Sequence, residues 1–101
     1  MTWERVLDSA ALRDGSARVV RVGDREVAIA RVEGRVYAID GVCPHRQGSL
    51  GLGDLDGHHL YCPQHAWCFD VRTGVAFFPE GAKVARFEVK EEQGGIFVIA
   101  S

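Results

Sequence analysis

The chain has 101 residues, with 12 basic and 14 acidic side chains and a formal net charge of −2, a length that fits a single domain over residues 1–101. The charges are mixed and form no basic run, which argues against nucleic acid and anionic membranes as partners. No apolar stretch approaches the ~20 residues that span a bilayer, and no apolar signal core follows the N-terminus, so we expect a cytoplasmic protein.

Short apolar runs separated by turn residues predict a series of β-strands. One helical turn is predicted first, at residues 9–12, with Asp8 or Ser9 as its cap. The predicted strands are residues 17–22, 27–32, 36–39, 58–62, 67–71, 85–90 and 96–99. The residue pairs 23–24 and 33–34 are typical of two-residue hairpin turns.

This succession of strands predicts an all-β fold, an antiparallel sandwich or barrel. Residues 41–55 break the succession because they contain four glycines and few β-branched residues. A loop of this length in a compact domain usually has a function.

Two short motifs, Cys43-Pro44-His45 and Cys62-Pro63-Gln64-His65, supply two thiols and two imidazoles, and 16 residues separate them. Each proline fixes its own backbone and holds the preceding cysteine in an extended conformation. Such ligands could bind one zinc ion, but zinc sites usually begin with two cysteines a few residues apart. With one residue between them, a cysteine and a histidine chelate a single ion awkwardly. A 2Fe–2S cluster, with both cysteines on one iron and both histidines on the other, removes this difficulty.

On these motifs the chain resembles the Rieske 2Fe–2S family, from about Val19 to the C-terminus. The resemblance includes Tyr37-Ala38-Ile39-Asp40 before the first motif and Phe69-Asp70-x-x-Thr73-Gly74 after the second. It implies the Rieske fold, an antiparallel β-sandwich with an inserted cluster-binding subdomain at about residues 41–75. It also implies one 2Fe–2S cluster per chain. The ligands would be Cys43 and Cys62 on the inner iron, and His45 and His65 on the outer, partly exposed iron.

The resemblance also bears on the reduction potential, which spans about −150 to +300 mV in Rieske centres. High-potential respiratory members have a disulfide between the two loops, where this chain has Gly48 and Gln64. They also place two hydroxyl groups against the cluster, where this chain has Trp67 and Phe69. Because hydrogen bonds to cluster sulfur favour the reduced state, their loss predicts a potential at the low end.

No catalytic residues are recognisable beyond the cluster ligands, so we expect an electron-transfer component and not an enzyme. The resemblance implies a monomeric ferredoxin that takes electrons from a flavin-containing NAD(P)H reductase and passes them to a terminal oxygenase. Contacts with both partners would be transient, since a carrier must dissociate after each transfer. Two alternatives stay open: the small subunit of an assimilatory NAD(P)H nitrite reductase, which the run at residues 62–74 resembles equally, and a structural zinc-binding module.

Several neighbouring residues have two interpretations. Cys68 is expected to be a buried inert thiol, in preference to a redox group. Trp67 could belong to the core or shield the cluster. His58 and His59 are adjacent on a predicted strand, so they face opposite sides and cannot easily share a metal. Residues 77–81 resemble the proline loop that covers the cluster in this family.

Overall fold

The computed structural model describes residues 2–44, 48–63 and 67–100. Eleven strands occur within these residues: β1 (Thr2–Asp8), β2 (Ser16–Val22), β3 (Arg25–Val32), β4 (Arg35–Asp40), β5 (Asp54–Asp56), β6 (His59–Tyr61), β7 (Cys68–Asp70), β8 (Ala76–Phe78), β9 (Arg86–Phe87), β10 (Val89–Glu92) and β11 (Gly95–Ala100). Two short 3-10 turns, Ser9–Ala11 and Leu50–Leu52, lie between strands. The all-β prediction is confirmed.

The strands form three antiparallel sheets. The first sheet has the order β1-β11-β10, the second β2-β3-β4-β9 and the third β5-β6-β7-β8. The third sheet is a run of consecutive strands between residues 54 and 78, so it forms a local meander inserted between β4 and β9. No helix in the described part of the chain is long and apolar enough to cross a membrane.

Tight turns set the register of the hairpins. Val22 pairs with Arg25 and Val32 pairs with Arg35, which leaves the predicted two-residue turns at 23–24 and 33–34. In the second of these turns both residues have positive φ, 51° for Glu33 and 81° for the following glycine. Such a turn matches the twist of the flanking strands, so the sequence here dictates the register.

The second sheet lies in the middle of the molecule and contributes to two apolar cores. Val27 and Ile29 of β3 belong to a core shared with the first sheet, around Ile96 and Val98. The alternate residues of β3 face a second core, which includes the following side chains: Ala28, Ala30, Val32, Ile39, Leu50, Leu60, Phe69 and Val71. Because both faces of β3 are buried at residues 27–30, this part of the strand is apolar throughout, without polar alternation.

The segment predicted as one strand at residues 85–90 is divided between β9 and β10, because the chain changes sheets there. Residues 86–87 pair with β4, whereas β10 pairs with β11. The apolar positions Phe87 and Val89 nevertheless contact the same core, which explains the alternation in the sequence.

The helical turn at Ser9–Ala11 is confirmed, but a side-chain cap is not: Asp8 makes no capping hydrogen bond, and its carboxylate pairs with Arg5 at 2.9 Å.

Candidate metal centre

Two loops of the same length carry the sequence motifs. In the first loop, the Cys43 N–H donates to the Gly48 carbonyl at 2.8 Å, and in the second the Cys62 N–H donates to the Trp67 carbonyl at 2.8 Å. Each loop therefore begins with a cysteine and closes five residues later. The predicted ligands His45 and His65 fall inside these loops, but both lie outside the described residues.

The two cysteine side chains lie in the same apolar surroundings. Cys43 is 0% exposed and Cys62 is 4% exposed. Both belong to the core beneath the third sheet, together with Phe69, and the half-buried Trp67 packs against this core. The structure therefore brings together the two predicted thiol ligands, which are far apart in sequence, in surroundings that exclude water.

This donor set fits a 2Fe–2S cluster. Thiolates are the usual protein ligands of iron–sulfide clusters, and imidazoles replace two of them in Rieske centres. Two buried cysteines, each followed in the sequence by a histidine two or three residues later, provide both kinds of ligand. Apolar packing around the thiols keeps the inner side dry, a condition that tunes the potential of a bound cluster.

The stem of the first loop is a short hairpin outside the regular sheets. Val42 and Ser49 form an isolated antiparallel bridge, and the Leu50 N–H donates to the Gly41 carbonyl at 2.8 Å. The Asp40 carboxylate accepts the Val42 N–H at 3.1 Å, which turns the chain out of β4.

The stem of the second loop belongs to the third sheet. Tyr61 pairs with Cys68 across β6 and β7, directly outside the loop. The Cys68 side chain is buried. Burial raises the pKa of the Cys68 thiol above its ordinary value. A protonated, inaccessible thiol is unreactive, which supports the expectation that Cys68 is structural.

The two adjacent histidines contact different parts of the molecule. His58 meets the ring of Tyr37 edge-on, with centroids 5.8 Å apart, whereas His59 stacks on Phe77 at 4.5 Å. Across the described ranges, no group of three or more His, Cys, Asp or Glu side chains could hold a metal ion.

The predicted proline loop, residues 77–81, begins within β8. Phe78 of β8 pairs with Cys68 of β7, so this segment adjoins the strand that leaves the second loop. Phe77 and Phe78 are 68% and 55% exposed, and the Phe78–Pro79 bond is cis. Whether the loop covers the cluster stays a prediction.

Sequence reasoning missed two contacts that support the first loop. The Ser49 hydroxyl donates to the Glu26 carboxylate at 2.5 Å, although the two residues are 23 positions apart. Gly53 rests on the backbone of Tyr61, where a Cβ atom would overlap the Tyr61 carbonyl oxygen. The available signals were a carboxylate directly before the apolar residues 27–30 and the concentration of glycines at 41–55.

Comparison with known proteins agrees with the motifs and the fold. Residues 2–88 match the family model described as Rieske [2Fe-2S] domain. Ferredoxin CarAc of Metapseudomonas resinovorans is 36% identical over 98 residues, which cover 95% of this chain and 92% of that protein. The ferredoxin of carbazole 1,9a-dioxygenase from Nocardioides aromaticivorans IC177 superimposes with a TM-score of 0.93 at 30% identity, over 100% of both chains. A ferredoxin structure in complex with the oxygenase of carbazole 1,9a-dioxygenase gives 0.86 at 35% identity, covering 95% of this chain and 91% of that one.

The chain belongs to the Rieske [2Fe-2S] family. It carries a 2Fe–2S cluster and is an electron-transfer protein of the ferredoxin type, not a catalyst. The zinc-module alternative is therefore wrong. A structure described as the small subunit of an NADPH nitrite reductase also superimposes, with a TM-score of 0.83, but at 17% identity it shows only that the fold is shared.

Proposed function

We propose that Cys43 and Cys62 bind the inner iron of the cluster and that His45 and His65 bind the outer iron. The observation that carries this proposal is the matched pair of loops, each closed by the N–H of a cysteine whose side chain is buried in one shared core. When bound, the cluster accepts and releases one electron. We place the cluster-binding subdomain at about residues 41–75, on the third sheet.

The loops give the two kinds of ligand different tasks. Buried thiols hold the cluster from the protein side, where the apolar core excludes water from the inner iron. As ligands of the outer iron, the histidines would provide the contact with redox partners. Electron transfer then needs no movement of the β-sheets.

The acceptor in this proposal is a terminal oxygenase, and the donor is a flavin-containing NAD(P)H reductase. One related ferredoxin forms a complex with the oxygenase of carbazole 1,9a-dioxygenase. The distribution of exposed apolar side chains supports a similar use here. Five of the six large exposed apolar residues in the described chain lie between residues 42 and 78: Val42, Leu52, Val75, Phe77 and Phe78. Exposed apolar side chains in the part of the chain that carries the loops suit brief docking against a protein surface.

As a carrier between two partners, the protein works as a monomer, because a single set of loops must meet each partner in turn. Since its electrons come from NAD(P)H, an intracellular reductant, the proposal also places the protein in the cytoplasm.

The test is reconstitution of electron transfer with purified components. The holoprotein is mixed with candidate reductases, NAD(P)H and candidate oxygenases, and product formation is followed with and without the ferredoxin. The proposal expects product only when all three proteins are present, and weaker transfer by Phe77→Ser, with Trp3→Ser as the control far from the loops. Support of a sirohaem nitrite reductase and of no oxygenase would contradict the proposal.

A further inference from the structure

The side chain and backbone of Glu26 contact both strands of the first-loop stem. The Glu26 carbonyl accepts the Gly41 N–H at 2.9 Å, on the strand that enters the loop. Its carboxylate accepts the Ser49 hydroxyl at 2.5 Å, on the strand that leaves the loop. One residue of β3 therefore holds the two ends of the stem together.

A close approach of the two backbones makes this double contact possible. Gly41 lies so near β3 that a Cβ atom would stand 2.9 Å from the Glu26 Cγ and 3.0 Å from its carbonyl oxygen. Any other residue would push the stem away from β3 and lengthen both hydrogen bonds. The glycine and the glutamate thus act as a pair.

Short backbone links connect Ser49 to Cys43, one of the predicted ligands. Ser49 follows Gly48, whose carbonyl accepts the Cys43 N–H at 2.8 Å and closes the loop. The bridge between Ser49 and Val42 fixes the residue on the other side of that cysteine. A shift of Ser49 would therefore move both anchors of Cys43.

The hydrogen bond between Ser49 and Glu26 is of a strong kind. A hydroxyl that donates to an ionised carboxylate forms a shorter and stronger bond than one between neutral groups. Both side chains are half-buried, so water competes with the bond less than it would on an open surface. The neighbouring carboxylate, Asp40, binds Arg25 at 3.4 Å and Val42 N–H, which leaves Glu26 to hold Ser49.

We propose that the Glu26 carboxylate is a positioning residue for the cluster, acting through Ser49 on the first ligand loop. This inference rests on the proposed assignment of Cys43 and His45 as ligands. In this role the carboxylate acts indirectly, because it sets the place of the loop that presents these ligands. The stem of the second loop is instead part of the regular ladder between β6 and β7.

The test measures the cluster directly in holoprotein variants. Glu26→Ala and Ser49→Ala remove the bond, Glu26→Gln keeps an oxygen acceptor without the charge, and Ser49→Thr keeps the hydroxyl. Readouts are the g values of the reduced cluster by electron paramagnetic resonance, the midpoint potential, and iron and sulfide content. Hydrogen–deuterium exchange of segments 41–50 and 61–68 reports on the two stems. Asp24→Asn, in the exposed turn before β3, is the control for a change of charge.

Both alanine variants are expected to shift the g values and the midpoint potential, and to raise exchange in segment 41–50 about tenfold or more without affecting segment 61–68. The double alanine variant would shift them no further than either single variant, because both remove the same contact. Ser49→Thr and Glu26→Gln would keep the g values of the parent, as would Asp24→Asn.

Unchanged g values and potential in both alanine variants, with only lower stability, would overturn the positioning role. An equal shift of g values in Glu26→Gln would also overturn it, since charge alone would then explain the effect. If Glu26→Ala does not fold, Ser49→Ala and its threonine counterpart decide the question. Failure of the ligand assignment gives a different result: a Rieske signal that survives Cys43→Ser.

Discussion

The two ligand loops have the same length and the same closing hydrogen bond, yet they are supported in different ways. The first stem is an isolated bridge held by the side chain of Glu26 and by glycines that allow close backbone approach. The second stem continues the ladder between β6 and β7. Equivalent loops can therefore depend on different physics, one on a few specific side chains and the other on regular backbone pairing.

Removal of a thiol ligand is expected to have the largest effect and tests whether the loops are equivalent. Cys62→Ser replaces a soft thiolate with a hydroxyl that binds iron poorly, so the Rieske resonance signal and the bound iron should both be lost. Cys43→Ser in the first loop should have the same result. The matched control is Cys68→Ser, an identical change at a thiol that is also buried, which should leave the signal in place. Loss of the signal in the control alone would overturn the ligand assignment.

The second largest effect is expected from Gly53→Ala, which should lower the free energy of unfolding. The added methyl group would push Gly53, which follows the first stem, away from Tyr61 of the second stem. Gly53 has an ordinary φ of −81°, so Gly53→Ala strains the molecule by steric overlap with the Tyr61 carbonyl and not by its backbone conformation. Overpacking of this kind costs about 1–3 kcal/mol, measurable by urea unfolding of the holoprotein. Gly57→Ala, where the space is open and only the positive φ of 60° matters, should cost about 1 kcal/mol. Equal losses would mean that the stems do not meet at Gly53.

The reduction potential of the cluster should differ from that of Rieske proteins that have hydroxyl groups near the cluster. Trp67 and Phe69 occupy the corresponding positions here, and Phe69 is fully buried in the core that contains the two cysteines. Neither side chain carries a hydroxyl, so we expect the reduced cluster to be less stabilised than in those proteins. We expect a midpoint below about +100 mV in a redox titration, and a higher value would contradict this explanation.

The smallest expected effect concerns the end of the second stem, where Asp70 binds Arg72 at 2.8 Å. Hydrogen bonding to the Arg72 guanidinium lowers the pKa of the Asp70 carboxyl below its ordinary value. The contribution of Asp70 to stability is therefore present above the unfolded pKa of about 3.9 and lost as the pH falls through the lower folded value. Since Arg72 is half exposed, Asp70→Asn should lower the free energy of unfolding by about 1 kcal/mol or less at pH 7.

The same comparison made in acid checks the sign of this effect. The difference between Asp70→Asn and the parent in urea unfolding should shrink as the pH falls below about 4. Asp54→Asn, at an exposed carboxylate of the same sheet, should show little difference at either pH. A difference that grows in acid would contradict the lowered pKa.

Local features of this fold were predictable from the sequence. The two-residue turns and the apolar run at residues 27–30 of β3 depend on neighbours in the chain, and the structure agrees with both. The two cysteine motifs were also recognisable, and the structure buries both thiols in one core. Strands β1, β5 and β8 were not predicted, because they alternate weakly or last only three residues and depend on pairing partners elsewhere. Without those partners their sequences resemble loops.

Long-range support of the site could not be predicted. The hydrogen bond from Ser49 to Glu26 joins positions 23 residues apart, and nothing in either local sequence indicates the other. The sheet change near Glu88 was hidden for a similar reason. Phe87 and Val89 face one core although their strands pair with different sheets. The apolar alternation in the sequence is therefore unbroken at the point where the backbone pairing changes from β4 to β11.

Burial of β3 on both faces has a consequence for how the protein melts. Neither apolar core can be lost alone without exposing the opposite side of a strand that the other core needs. We therefore expect the lobe with the cluster and the sandwich beneath it to melt as one cooperative unit. The red-brown colour of the iron centre and the far-ultraviolet signal of the sheets would then disappear at one temperature.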